Sequence, residues 1–433
     1  MVAKRWLAGP SAVGLIVVAA LAWNLERPSR PVTPERPKVG AVATLSTSRD
    51  SLDVLVHRMR ARVAANPGDG EAAVLLADAL MRLARVDGDA SLPLEAERAI
   101  RATVAHDPTD YTARRMLGVV LLAQHRFAQA LDAAREAQRV RPEDAWNYAV
   151  AGDALLELGR YQEAFASFDE LNRRRPDAGA YARAAYAREL QGDLASARAF
   201  MQMAADGTGA HDPEAQAWYL SQLGNLLLLE GELDAAERKF RQAEFTFPGH
   251  PYGHTGRARV LIARNRLREA YELLATGHDT PETWAMRGDI ATRLGDNGAA
   301  RRAYAEAERA ERDGWQKEEP QPAALARFFA ERGLNSSEAV ALAERAATVR
   351  RDIHTMDALA WAYLRAGRVD DASKAIAIAT STGTRDPRIR CHAAAIASAA
   401  AGTTSAGDVC HPLDVMVARP TTTATVTAVK IRR

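Results

Sequence analysis

The chain has 433 residues with 57 lysines and arginines against 55 aspartates and glutamates, for a net charge of +2. That balance excludes the basic stripe of a nucleic-acid binder, so no nucleic-acid partner is expected. Two cysteines exclude a disulfide framework as the main source of stability. One hydrophobic core rarely serves a chain this long, so the core must either divide or extend along one axis.

Residues 1–25 open with Lys4 and Arg5 and continue as an uncharged run from Trp6 to Leu25. About 20 apolar residues span the hydrocarbon of a bilayer, and Trp6 and Trp23 stand near the two ends, where indole rings favour the interface. Two readings follow: a single-span anchor with its N-terminus in the cytoplasm, or a secretory signal cleaved after the small-residue run Ala20-Leu21-Ala22. The apolar run continues past that site, which favours the anchor, although Arg27, Arg30, Arg36 and Lys38 beyond it run against the positive-inside rule. Either reading puts the rest of the chain outside the cytoplasmic membrane, in a Gram-negative periplasm. Residues 26–49 carry Pro28, Pro31, Pro34 and Pro37, a three-residue spacing that suits an extended polyproline spacer or a tether without fixed length.

From residue 50 the apolar residues recur at helical spacing. Leu52, Leu55, Val56, Met59 and Val63 share one face of a helix that ends at Pro67, the expected N-terminal cap. Helices over 71–86 and 94–106 follow, with a polar connection over 87–93. Units are then expected at 111–142, 145–176 and 178–206, a loop at 207–213, and further units at 220–248, 252–277 and 284–312. Residues 313–322 are charged and proline-ended and mark a break between an array over 50–312 and a second over 323–402. In the second array, helix pairs fall at 325–349 and 353–379, and 388–401 is a first helix without its partner. The Thr-rich tail, 403–433, carries little pattern and is expected to be irregular or disordered.

The units repeat. Pro108, Pro142 and Pro176 close successive units at an interval of 34 residues. Gly159, Gly231, Gly295 and Gly367 sit in the turns, each followed at one offset by Ala164, Ala236, Ala300 and Ala372. Gly118, Gly152, Gly224 and Gly288 occupy the first helices, where a small residue lets the second helix approach. Phe168, Phe240, Tyr304 and Ile376 fill the space toward the next unit. Leu220, Leu223, Gly224, Leu227, Ala236, Phe240 and Pro248, and again Tyr148, Ala151, Gly152, Leu155, Ala164, Phe168 and Pro176, resemble the signature of the tetratricopeptide repeat. Arg287 and Ala291 depart from it. The resemblance implies an all-α fold, a right-handed superhelical α-solenoid of about nine stacked helix-turn-helix units, in which each unit buries its apolar face only against its neighbours.

No phosphate-binding glycine loop, nucleophile elbow or H-E-x-x-H motif is present, and no stretch outside the repeats is long enough for a catalytic domain. The chain therefore reads as a non-enzymatic scaffold without a cofactor, which binds a protein or an extended peptide. An accessory role in metal or cofactor handling is the alternative. His250 and His254 stand four apart, but Pro251 and Gly253 between them suit a helix start better than a metal site. Cys391-His392 and Cys410-His411 lack zinc-ligand spacing; the two cysteines either pair as a disulfide or remain free thiols. Arg173, Arg174 and Arg175 read as a solvated helix terminus. The resemblance implies that first helices line a concave groove. By helix phase the groove candidates are Arg115, Trp146, Asp153, Arg183, Tyr186, Trp218, Asn225, Tyr252, Arg259, Asp289 and Trp361, rich in the types that dominate binding hot spots.

Overall fold

The computed structural model describes residues 49–87, 91–208, 212–315, 322–402 and 410–416. Residues 1–48, with the expected anchor and proline-rich linker, and 417–433 lie outside the described residues. Within them there are twenty helices and no strand, and none is long and apolar enough to cross a membrane.

Helix α1 (Arg49–Ala65) leads, followed by α2 (Gly70–Asp87), α3 (Ser91–His106), α4 (Tyr111–Ala123), α5 (Phe127–Val140), α6 (Trp146–Glu157) and α7 (Tyr161–Arg174). Then come α8 (Ala178–Leu190), α9 (Leu194–Thr208), α10 (Pro213–Leu229), α11 (Leu233–Thr246), α12 (Pro251–Ala263), α13 (Leu267–Thr276), α14 (Pro281–Arg293) and α15 (Asn297–Trp315). The array ends with α16 (Pro322–Arg332), α17 (Ser336–Val349), α18 (Ile353–Arg365), α19 (Val369–Ala379) and the unpaired α20 (Pro387–Ala400). Consecutive helices pack as antiparallel pairs from α2·α3 to α18·α19, with α1 covering the outer side of α2. The result is the all-α solenoid of stacked helix pairs that the repeat predicts.

Local chemistry sets the starts of the first helices. The carboxylates of Asp110, Asp177, Asp212, Asp352 and Asp386 accept hydrogen bonds from backbone N–H groups two or three residues on, satisfying donors that a helix end leaves orphaned. Thr280 and Thr283 close a reciprocal capping box. Pro213, Pro251, Pro281 and Pro387 occupy the first turn, where a missing N–H costs nothing.

Packing within and between units turns on one contact. A Cβ placed on Gly224 would lie 2.6 Å from the Phe240 ring, and Gly256 of the next first helix is pressed against the same ring. Gly152 meets Phe168 and Gly288 meets Tyr304 in the same way. The aromatic side chain is thus wedged between two first helices, and only a glycine there admits it at van der Waals distance. Phe168 and Phe240 are fully buried.

Three boundaries differ from expectation. The connection after α2 is shorter than 87–93, because α3 resumes at Ser91 and takes Pro93 into its first turn; residues 88–90 lie outside the described residues. Helix α9 runs to Thr208, whose hydroxyl donates to the Ala204 carbonyl at 2.7 Å. Helix α15 runs into the expected break, to Trp315, with residues 316–321 outside the described residues. Helices α15 and α16 touch little, so continuity across that point rests on other contacts.

Those contacts join units far apart in sequence. The Arg351 N–H donates to the Glu157 carbonyl at 3.1 Å, and the Ile353 N–H donates to the Tyr161 hydroxyl at 2.6 Å. Gly159, in the α6–α7 turn at φ +74°, has the Arg351 carbonyl 2.6 Å from where a Cβ would sit; Gly192, in the next turn, meets the Gly383 carbonyl equally closely. The array therefore curves until the α17–α18 connection rests on the α6–α7 turn and the α19–α20 connection on the α8–α9 turn. These contacts run between residues of the expected 50–312 array and residues of the expected 323–402 array.

Gly159 and Gly231 (φ +82°) share the left-handed conformation, but Gly231 faces open space. Alanine at Gly231 is expected to lower unfolding stability by about 1 kcal/mol, the backbone strain alone. Alanine at Gly159 adds a clash with the Arg351 carbonyl and is expected to cost about 1–3 kcal/mol more. Urea unfolding of the two variants measures the difference; equal losses would mean that the contact between distant units is not made.

Candidate partner-binding surface

Seven of the eleven groove candidates are interior side chains. Trp146, Asp153, Arg183, Tyr186, Trp218, Asp289 and Trp361 are all buried, which corrects the expectation that they line an open groove. Their work is structural. Arg183 donates to both Asp153 carboxylate oxygens, at 2.9 and 2.7 Å, and to the Gly179 carbonyl at 3.0 Å. Asp289 accepts from Arg332 at 2.9 and 2.6 Å and from the Tyr304 hydroxyl at 2.9 Å, tying α14 to α16. Trp361 stacks on His392 at 3.9 Å between ring centroids, and His392 meets Asp357 at 2.8 Å. Trp146 lies under the guanidiniums of Arg115 and Arg175, at 6.0 and 5.2 Å. Trp218 packs edge-on against Tyr219, and Tyr186 is buried in the main core.

The physical reason is packing between neighbouring units: Asp153 meets Arg183 of the next unit, and Trp361 meets His392 of α20. Helix phase identifies which side of a first helix faces the concave surface, but not whether the next helix covers a side chain there. Distant units also meet. Arg82 of α2 reaches Asp212, at the start of α10, at 3.4 Å. Arg350, ahead of α18, bridges Glu157 at 2.7 Å and Asp352 at 2.9 Å. Burial opposes the Arg350 charge, but Asp352 and Glu157 outweigh it and hold its pKa above the ordinary value. Burial likewise works against the Asp352 carboxylate, and Arg350 outweighs it, leaving that pKa below the ordinary range. The pair stays ionised. Neither Glu157, Arg350 nor Arg332 was singled out by the repeat pattern, because Glu157 and Arg350 meet each other, and Arg332 meets Asp289, across different units.

Four candidates remain at least partly open: Arg115, Asn225, Tyr252 and Arg259. Arg115 pairs with Asp144 at 3.4 Å in the α4–α6 region, apart from the other three. Asn225, Tyr252 and Arg259 fall together on α10 and α12. Arg259 donates to the Asn225 side-chain carbonyl at 3.3 Å and pairs with Glu282 at the start of α14. It thereby links three successive first helices, the geometry that a chain laid across the units would meet. Elsewhere on α14, Arg287 covers the half-buried Trp284 ring at 3.9 Å and, from α13, the Tyr271 ring at 5.5 Å.

The remaining sequence features resolve as follows. Arg173 and Arg174 pair with Glu170, and Arg175 with Asp177 at 2.7 Å. Arg174 also covers Tyr148 at 5.0 Å; Arg173 and Arg174 are exposed in the last turn of α7, as a solvated helix terminus should be. His250 is the buried N-cap of α12, and burial pushes its pKa down to about 4. His254 contacts the Leu273 carbonyl at 2.7 Å and Glu244 at 3.3 Å, so the two rings serve separate structural contacts. Cys391 and Cys410 form a disulfide, with Cα atoms 5.7 Å apart. Both thiolates are thereby consumed, which removes the ligands that the metal-handling alternative requires.

Removing one member of a buried ion pair leaves an uncompensated charge and costs about 3–5 kcal/mol. Arg183→Met is therefore expected to destabilise the chain by that amount in denaturant titration. Asp153→Leu combined with Arg183→Met is expected to recover most of the loss. A single variant as stable as the parent would show that the pair is not buried.

A family model described as tetratricopeptide repeat matches residues 81–145 and 150–220. No curated protein matches the sequence. Among solved structures the chain is similar to that of Pseudomonas aeruginosa pilF, at 17% identity over 47% of this chain and 93% of that one, with a TM-score of 0.39. It is similar to the human IFIT1 dimer with m7Gppp-AAAA, at 14% identity over 77% of each chain and a TM-score of 0.50. A tetratricopeptide repeat protein from Parabacteroides merdae gives 16% identity over 60% of this chain and 93% of that one, with a TM-score of 0.41. At such identities the likeness is one of fold. Residues 81–145 and 150–220 thus carry tetratricopeptide repeats, and the same glycine–aromatic wedge recurs beyond them between Gly288 and Tyr304.

Proposed function

We propose that this chain is a protein–protein interaction scaffold of the bacterial cell envelope, which holds an extended peptide or a protein segment across α10, α12 and α14. The observation that carries the reading is the half-exposed run Asn225–Arg259–Glu282 with Tyr252 beside it: polar and aromatic groups on three successive first helices, not covered by the packing that buries the other candidates. A row of donors and acceptors at the unit spacing suits backbone amides of an extended segment, and Tyr and Arg suit its side chains. The envelope assignment draws on the apolar run Trp6 to Leu25, the proline spacing after it, and the Cys391–Cys410 disulfide, which an oxidising compartment would preserve. Residues 1–25 would hold the array at the inner membrane with the repeats in the periplasm.

Ion pairs this exposed contribute under about 1 kcal/mol to stability, so the surface can be altered without unfolding the array. Arg259→Glu and Tyr252→Ala are expected to reduce recovery of partner proteins, cross-linked and purified from native membranes, by about tenfold or more, with melting temperatures near the parent's. The experiment should use the full-length protein, read by mass spectrometry. Undiminished capture by both folded variants would sink the proposed surface.

A further inference from the structure

Residues 410–416 form a strap, and the surface it lies on is a second opening for a partner. The main core runs through most of the array, but α12 to α14 contain a separate small core: Ala258, Ile262, Ala270, Leu274, Met286 and Ile290. The seventh buried member of that core is Leu413, more than a hundred residues away in sequence, with Met416 packed against its edge. Asp414 pairs with Arg293, at the end of α14, at 2.9 Å. His411 folds the strap into a turn: its carbonyl accepts from the Asp414 N–H at 2.8 Å, and its ring accepts from the Leu413 N–H at 3.2 Å. The strap is short, has no regular secondary structure and offers the apolar anchor Leu413 followed by an acid. The disulfide from Cys410 to Cys391 joins it to α20 a second time, beside the chain that continues from Gly402.

We propose that residues 410–416 are a built-in occupant of a peptide-docking surface on α12 to α14. When the strap is released, that surface takes a partner segment of the same chemistry: a leucine-like anchor in the site of Leu413, an aspartate or glutamate after it for Arg293, and a second apolar residue in the place of Met416. Three features carry this. The small core is incomplete without a side chain supplied from outside α12 to α14. The contacts made are those of a bound segment rather than of a helix in the stack: Leu413 enters the small core, Pro412 is buried, Val415 packs against the main core, and Asp414 makes one rim ion pair. The second attachment of the strap is a bond that can be opened: a dithiol reductant transfers two electrons and two protons, leaving the Cys391 and Cys410 thiols and an oxidised dithiol. Within the disulfide, intramolecular seating gives the strap an effective concentration that a partner segment in solution must exceed; opening the bond lowers it. The inference rests on the reading of the array as a peptide-binding scaffold but concerns a different surface from that around Arg259.

The probe is a fluorescein-labelled peptide of residues 411–416, titrated into the full chain and followed by anisotropy. Little binding is expected to the oxidised protein. Binding at least about tenfold tighter is expected after treatment with dithiothreitol and in the Cys391→Ser/Cys410→Ser chain, and tightest in a Leu413→Asp chain, whose own strap cannot seat. Arg293→Glu is expected to weaken the peptide, and a peptide carrying Asp414→Lys to restore it. Equal binding to the oxidised and reduced protein overturns the proposal. So does absence of binding to a reduced or Leu413→Asp chain that keeps its helical circular dichroism. Loss of cooperative unfolding on reduction also overturns it, since the strap would then be a structural staple. A failed peptide titration with Arg259-dependent partner capture intact removes this inference and leaves the scaffold reading standing.

Discussion

The Phe240 ring pressed between Gly224 and Gly256 is the contact on which the array depends. No helix pair here can bury its apolar face alone, so each must be continued by the next. The wedge fixes how closely the next first helix approaches, and it recurs at Gly152–Phe168 and Gly288–Tyr304. Small rotations of one hand accumulate into curvature. In this chain the curvature is tight enough to bring the α17–α18 connection onto the α6–α7 turn, where Arg350 meets Glu157 and Ile353 meets Tyr161.

Packing between neighbouring units changes what the concave side can do. In an open solenoid the first helices offer a continuous groove. Here much of that face is interior, filled by ion pairs and stacked rings such as Asp153 with Arg183 and Trp361 with His392. Burying so many charged groups is tolerable only because each is paired and hydrogen-bonded, and it favours one geometry over slipped alternatives that would leave charges unmatched. The two proposed docking surfaces are the run around Arg259 and the small core of α12 to α14, which Leu413 fills.

Much of the fold was legible in the sequence because the repeat is a local property. The proline interval, the turn glycines and the small residue opposite an aromatic each report on one unit and its neighbour, and the helices fall where they predict. The ends were less legible: Ser91 starts a helix earlier than its polar surroundings suggest, since Pro93 is harmless in a first turn. The candidate site was read only in part. Trp218 and Arg183 carry the residue types of binding hot spots, but the same types serve a buried interface between helices, and only packing between units separates the two roles. Arg350 and Glu157 meet almost 200 residues apart in the chain, and no periodicity links them. The cysteines left a disulfide and two free thiols as equal alternatives; the 5.7 Å Cα separation brought about by α20 and the strap decides for the bond.

The central claim is that the array closes on itself, and a distance in solution tests it directly. Spin labels at the exposed positions Arg160 and Arg351, beside the α6–α7 turn and the start of α18, can be read by pulsed electron resonance in the full-length protein. Closure predicts a short separation with a narrow distribution that persists at physiological salt. A long or broad distribution would show an open solenoid and would contradict the account.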